Sequence, residues 1–371
     1  MNTEILSVFK DRAKTFLRCF RELGLSRKTP MSVLKGVYIR NFEDCLEVIQ
    51  TNSQIFVVHH FPNSVIHGLP DAGVVLPQEF FIHLRDFGAT EVEISETQIQ
   101  IDSSFSLPLL NLSKFPRLPK HHFSYNSPNI RFAASVLSEF KKKDINTQNN
   151  ITVDINKDDS HIFNTNGSKL FLMRDIKGLR CENICDRLRF SVPKNAWDVA
   201  SLYSAESLTY NLGQAKFQSC NIERTQVLFP AELSSSHKTD HLFNLPESSL
   251  ITIEVLSQAL LNGLNALKPF VKTPVSKLNG GIIEVFLDSD SLILRTPENT
   301  AEVVIPRKFR EDIEPFSFHL SHSFLLDAVQ TINGTVVLKT VSTNKDTMCS
   351  PVYITEYGNP NCFHITMSVK R

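Results

Sequence analysis

Five times along the chain, an alternation of apolar and polar positions gives way within about fifteen residues to apolar positions at helical spacing. The segments are VVLPQEFFIHLRDFG (74–88), IRFAASVLSEFKKKD (130–144), RFSVPKNAWDVASLY (189–203), ITIEVLSQALLNGLNAL (251–267) and FSFHLSHSFLLDAVQTI (316–332). A period near two marks a half-buried strand, and a period near 3.6 an amphipathic helix. In the last copy Phe316, Phe318 and Leu320 alternate, after which Phe324 and Ala328 recur one turn apart with Leu325 between them. Proline or a small polar residue stands at several of the switches, where it suits a helix start. The pattern predicts five strand–helix units, and a one-sided helix over 3–23 reads as a sixth copy whose strand is lost or disguised.

Between the helices, residues 37–61, 91–110, 151–173, 207–222, 282–306 and 335–355 carry short alternating runs separated by turn residues, which predicts antiparallel hairpins. The copies begin at residues 74, 130, 189, 251 and 316, so their spacing is about sixty and 371 residues hold about six of them. Solenoid repeats run to about 20–45 residues. A longer unit with hairpins and one helix is better read as half of an α+β domain. Three domains of two units each follow, over 1–125, 126–247 and 248–371, with boundaries beside the polar loops HHFSYNSPN and SSSHKTDHLFNLPESS.

Composition narrows the class. Hydrophobic residues make up 42% and charged residues 21%, as in an ordinary globular chain. The N-terminus interleaves charges with apolar residues, unlike a secretory signal, and no run is long enough to span a bilayer. A cytoplasmic protein is expected, with its seven cysteines reduced and the sequons at Asn111, Asn166 and Asn333 bare. The net charge is zero, so any affinity for nucleic acid has to come from local patches. No phosphate loop, HExxH helix, nucleophile elbow or dinucleotide fingerprint occurs. Cys181 and Cys185 lack a second pair, His237 and His241 lie in a serine-rich loop, and His59–His60 and His121–His122 are adjacent pairs, so no metal or cofactor is expected.

Several segments, in this order, resemble the bacterial DNA polymerase III beta subunit, the sliding clamp. LSRKTPMSVLKGVYI, with Leu34 and Gly36 in place, is similar to the family's Ser-x-Arg-Thr-Thr-x-Pro-Ile-Leu-x-Gly-Ile segment, and FSLPLLNLSKFPRLP to its Phe-Ser-Leu to Phe-Pro-x-Leu stretch. FNTNGSKLFLMRD resembles Thr-Asp-Gly-His-Arg-Leu, and the chain end ITMSVKR resembles Met-Pro-Met-Arg-Leu. The resemblance covers nearly the whole chain. It implies three similar clamp domains forming a half-ring, and a head-to-tail homodimer that encircles duplex DNA without reading sequence. It also implies tethering of a polymerase and a clamp loader through a short hydrophobic peptide, with no catalysis.

Candidate residues follow. Lys10, Lys14, Arg18 and Arg21 recur along one face of the first helix, with Leu6, Phe9, Ala13, Phe16 and Phe20 on another, which predicts a basic stripe. Lys141, Lys142 and Lys143 form a second basic cluster where the family contacts DNA, or complement a helix C-terminus. The last helix has no basic residue and carries Asp327.

The resemblance places the peptide pocket, between the second and third domains, at Thr165, Gly167, Lys169, Leu170, Pro246, Phe324, Pro351, Met367, Val369 and Lys370. It places the subunit interface at Phe105 and Leu107 against Leu264 and Leu267. The chain departs from the family at Ser168 for histidine, Ser368 for proline, and Lys169 and Lys370 for arginines. The family's Leu-x-Gly pattern is missing before the second domain's first strand, at TQNNITVDI. The stretch between Phe229-Pro230 and Leu245-Pro246 is several residues too long. Two alternatives stand beside the processivity clamp: a paralogue with an altered pocket, and an enzyme whose catalytic residues converge from separate repeats.

Overall fold

Each of the five period switches falls on a strand that runs into a helix. Val74–Pro77 leads into α2 (Gln78–Asp86), Asn129–Arg131 into α3 (Ser135–Lys143) and Leu188–Pro193 into α4 (Lys194–Leu202). Leu250–Leu256 leads into α5 (Ser257–Val271), and Phe316–Ser321 into α6 (His322–Gln330). Among the described residues one further α-helix, α1 (Thr3–Glu22), precedes these units. Pro77 and Pro193 sit directly before α2 and α4, and Ser321 caps α6 by accepting from the Phe324 N–H. The structure, a computed structural model, describes residues 3–25, 29, 31–120, 123–144, 150–155, 160–166, 169–183, 187–221, 223–234, 240–243, 250–271, 281–296, 299–308, 315–341 and 350–368.

The contacts divide the chain into two compact units, Met1–Lys141 with Ile176–Leu233, and Lys142–Asp175 with Ser234–Arg371. The expected central third thus contributes strands to both. In the first unit one sheet runs Arg180–Glu182, Asn129–Arg131, Ser207–Asn211, Gln214–Gln218, Gln226–Pro230, Phe56–Pro62, Cys45–Thr51, Gly36–Phe42, Val74–Pro77. Its middle seam pairs Gln226 with Val58 and Leu228 with Phe56, joining strands far apart in sequence. A three-stranded sheet, Val92–Ile94, Gln98–Ile101 and Phe105–Pro108, completes the predicted hairpins of this unit.

In the second unit the strands run Asn150–Ile155, Ser160–Thr165, Lys169–Met173, Asn359–Met367, Pro351–Glu356, Thr335–Val341, Leu250–Leu256. Here Lys169–Met173 and Asn359–Met367 form the corresponding long-range seam. A four-stranded sheet has the order Glu302–Pro306, Ser291–Arg295, Ile282–Leu287, Phe316–Ser321.

Helices cover the sheets because each has one apolar face. In α1 that face is Leu6, Phe9, Ala13, Phe16 and Phe20, all buried, and the helix packs against α2 and α4. Phe81 of α2 lies 6.0 Å from Phe9 and 5.3 Å from Phe16, edge to face. Trp197 of α4 packs against Phe140 and Phe217 at 5.1 and 5.7 Å and donates its ring N–H to the Leu137 carbonyl. In the second unit α5 and α6 pack together over Leu260, Leu264, Leu267, Phe324, Leu325 and Ala328. Gly263 lets α5 approach the sheet: a Cβ there would stand 2.9 Å from Ile305 Cδ1.

Candidate DNA-facing helix and peptide groove

Burial of one face of α1 fixes what the other presents. Lys10, Lys14, Arg18 and Arg21 are all exposed, on the side away from the phenylalanines. Two of these cations share a counterion: Glu22 Oε1 lies 3.5 Å from Arg18 Nε and 3.7 Å from an Arg21 guanidinium nitrogen. Arg12 turns elsewhere, into an ion pair with Glu223.

The Lys141–Lys143 cluster does not present three equivalent charges. Lys141 is held 3.1 Å from Glu22 Oε2 and 3.2 Å from Asp198, whose carboxyl burial pushes above its usual range despite the lysine. Lys143 is nearly covered and lies 3.6 Å from Glu356. Lys142 alone of the three is exposed. Helical geometry turns three consecutive residues to three different directions, so a run of like charges is not a patch.

The residues expected at the subunit interface fall into two groups. Phe105 is 39% exposed and stacks on the His83 ring at 4.7 Å, next to Phe87, which is 81% exposed. Leu107 is half-buried against the core below. Leu264 and Leu267, by contrast, are fully buried in the second unit. The α5 face that reaches solvent carries Asn265, Ala266, Lys268 and Phe270 instead. The expectation took the apolar stripe of α5 as its outer face, but that stripe is the one the helix needs to pack.

Of the expected pocket residues, the seam of the second unit gathers most of those the structure describes. Thr165 pairs with Leu170, Lys169 with Thr366, Leu170 with Ile365, and Pro351 with Met367. Lys169 Nζ lies 5.1 Å from the centre of the Phe324 ring, a cation–π contact that links α6 to the strands. Thr165, Lys169, Pro351 and Met367 are half-buried, whereas Leu170 and Phe324 are buried and offer almost no surface. Gly167, Pro246, Val369 and Lys370 lie outside the described residues, as do Ser168, Cys185, His121, His122 and His237. Ser368 makes use of being a serine: its N–H donates to the Ser350 carbonyl and its Oγ accepts from the Ser350 N–H, both at 2.8 Å. A proline there would have neither group.

Sequence reasoning missed the residues that give this seam its apolar floor: Phe163, Leu172, Tyr353, Ile365, Leu242 and Phe243. The last two belong to a single 3₁₀ turn, Asp240–Phe243. Burial pushes the Tyr353 phenol up to about 12, so it stays protonated and donates to the Leu242 carbonyl at 2.9 Å. The Arg174 guanidinium donates to the Phe243 carbonyl and lies 5.4 Å from the Phe363 ring centre.

Metal chemistry has no assembled ligand set among the described residues. His59 is buried with Nδ1 2.9 Å from Thr225 Oγ1, while His60 faces Cys45 and Glu47, so the adjacent histidines point apart. Among the described residues no helix is long and apolar enough to cross a membrane.

Repeated strand–helix units with paired hairpins, apolar helix faces turned to the sheets and a basic row on α1 define the class: the chain has the fold of the bacterial sliding clamps. It superimposes on the DNA polymerase sliding clamp of Bacillus subtilis with a TM-score of 0.75, at 15% identity, over 98% of each chain. The beta chain of DNA polymerase III from Streptococcus pneumoniae gives 0.76 at 15% identity, over 97% of this chain and 98% of that one. The Helicobacter pylori beta clamp, in a structure bound to a DNA ligase peptide, gives 0.73 at 15% identity, over 97% and 98%. No family model matches the chain, and no curated protein matches its sequence.

Proposed function

We propose that the chain is a DNA sliding clamp: a head-to-tail homodimer that encircles duplex DNA and confers processivity by tethering a polymerase and other partners. It consists of three clamp domains, over 1–125, 126–247 and 248–371, and performs no chemistry itself. The observation that carries this reading is the basic row of α1 standing opposite a wholly apolar buried face in a chain of clamp fold. Diffuse positive charge without base-reading groups suits a wall that slides along phosphates. Subunit closure uses Phe105 and its neighbours against the exposed face of α5 around Ala266 and Phe270. Partners dock as short apolar peptides on the seam around Thr165, Lys169, Pro351 and Met367.

A second reading, a clamp paralogue with its own partners, draws support from Ser368, whose two hydrogen bonds to Ser350 a proline could not make, and from Lys169, whose ammonium lacks an arginine's planar fork.

The test is retention on circular against linear plasmid, with the solution mass measured beside it. A dimer that stays on the circle and leaves when the circle is cut supports encirclement. Equal release from both forms, or a strict monomer at micromolar concentration, sinks the clamp reading and returns the enzyme alternative.

A further inference from the structure

The apolar patch around Phe105 has an ionisable group inside it. Ile82, Phe87 and Phe105 are 37%, 81% and 39% exposed, and bare large apolar side chains gathered in one place mark a surface that a partner covers. Between the two phenylalanines stands His83, half-buried. Its ring lies flat on Phe105, 4.7 Å away and within 9° of parallel, and Phe87, at the end of α2, closes on it at 5.2 Å. Histidine is the side chain whose ordinary titration falls between about pH 5 and 8. A leucine or phenylalanine would fill a permanently covered patch equally well, so the imidazole brings a proton-binding group that packing does not require.

In a single copy the charged imidazole is well placed. Asp102, whose carboxylate accepts from the Thr90 and Glu91 N–H groups, is close enough for its charge to favour that of His83. The flat face of Phe105 attracts a cation as well. The other charges nearby are Arg85 and Asp86, paired with each other at 2.6 Å, Glu79 one turn back on α2, Glu91 and Glu93 on the three-stranded sheet, and Lys10 of α1, which reaches Gly88. The surface expected to cover the patch is different. From Ser257 to Val271, α5 has no acidic residue, and its single charge is Lys268, exposed beside Ala266 and Phe270. The edge strand packed on it adds Glu302, which Arg295 already holds at 2.6 Å. Laying α5 of a second copy over His83 therefore removes water from an imidazolium, supplies no free carboxylate and adds a like charge. We infer that His83 is a proton-sensitive latch of the subunit interface, which closes on the neutral imidazole and loosens when the ring takes up a proton. This rests on the interface assigned under the proposed function. Because covering disfavours the charged form, closure releases a proton, and the dimer is tightest at the alkaline end of the histidine range and weakens as pH falls through it. One interface weakens by up to about tenfold per pH unit, and a ring closed by two such interfaces by up to about a hundredfold.

The test is fluorescence-detected sedimentation of the labelled full chain, diluted until it dissociates, at pH 7.5 and 5.5 and fixed ionic strength. It compares wild type with His83→Phe, which keeps a flat ring on Phe105 and removes the titrating group. The wild-type dissociation constant is expected to rise at least about tenfold at pH 5.5, and that of His83→Phe to change less than about threefold. The variant keeps every other histidine, so it also controls for acid effects elsewhere in the chain. Equal wild-type constants at the two pH values overturn the inference, and so does equal weakening of both proteins. If His83→Phe fails to fold, His83→Gln takes its place with the same expectation. A wild type that is strictly monomeric at pH 7.5 and micromolar concentration removes the interface, the clamp reading and the latch together. A pH-dependent dimer that leaves circular and linear plasmid equally keeps the latch and removes encirclement.

Discussion

Glu22 sits at the end of α1 with three cations around one carboxylate: Arg18 at 3.5 Å, Arg21 at 3.7 Å and Lys141 at 3.1 Å. Replacing it with glutamine keeps the shape and removes the charge that offsets the C-terminal half of the basic row. The Arg18 and Arg21 side chains are 53% and 74% exposed, so losing those pairs costs at most about 1 kcal/mol. Lys141 keeps Asp198 at 3.2 Å, and the variant should remain folded. DNA binding should change in the opposite direction to stability. Each additional phosphate contact adds about 0.9 to the slope of log K against log salt. One released arginine therefore steepens the loss of affinity between about 50 and 200 mM salt by about 3.5-fold, and two by about 12-fold. The assay is anisotropy of a short linear duplex titrated at several salt concentrations, which reads the contact term apart from topological retention. Lys10→Ala with Lys14→Ala should lower the slope by about 1.8. A Glu22→Gln slope equal to wild type, while the double lysine variant falls as expected, would refute the assignment of this end of α1 to DNA.

Other outcomes follow from burial. His59 and His364 each lie in an apolar setting that, with nearby cationic charge second, lowers the imidazole to about 3. Both are neutral when folded and take up protons when unfolded. Their contribution is complete above about pH 6.5 and is lost as pH falls toward 3, at up to about 1.4 kcal/mol per pH unit for each histidine. Urea melts at pH 7.5 and 5.5 should show the loss, and His59→Gln should flatten it; an unchanged pH dependence in that variant would contradict the burial of His59. Trp197→Ala should cost about 3–5 kcal/mol, because it removes a buried ring and its hydrogen bond to Leu137. Leu264→Ala should destabilise by about 2–5 kcal/mol, whereas Phe270→Ser should leave the melt nearly unchanged and shift the solution mass toward monomer. Sedimentation and melting measured on both separate core from interface, and the reverse pattern would restore Leu264 to the surface.

The repeat was legible because its two periods are physical. A strand needs every second residue apolar and a helix every third or fourth, so the five switches located all five strand–helix units, and the turn residues located the hairpins. The burial of Phe9, Phe16 and Phe20 beneath Lys10 and Lys14 could be read in the same way. Partnership over long sequence distances could not. Nothing near Gln226 announces that it pairs with Val58, or near Lys169 that it faces Thr366. Charge pairing was equally hidden: Lys141 and Lys142 are indistinguishable as letters, yet one lies between two carboxylates and the other faces solvent. Leu264 was misjudged because an apolar stripe on a helix fits a core and an interface equally well until the opposing surface is known. The Leu242–Phe243 pair did leave a signal, two apolar letters in a polar run, which was passed over in favour of the proline three residues further on.

The seam between Gln226–Pro230 and Phe56–Pro62 bears on how the chain can be cut. A fragment ending at residue 125 would carry every residue of the α1–α2 core but would leave Phe56–Pro62 as a bare strand edge, mostly apolar apart from His59 and His60 and normally covered. Such an edge pairs with whatever strand it meets, including another copy of itself. Truncation at the apparent domain boundary should therefore yield aggregates, while a fragment that supplies the whole first unit, 1–141 with 176–233, should aggregate less. The natural breakpoints of the polypeptide for proteolysis or for building hybrids follow the hydrogen-bonded seams rather than the repeat.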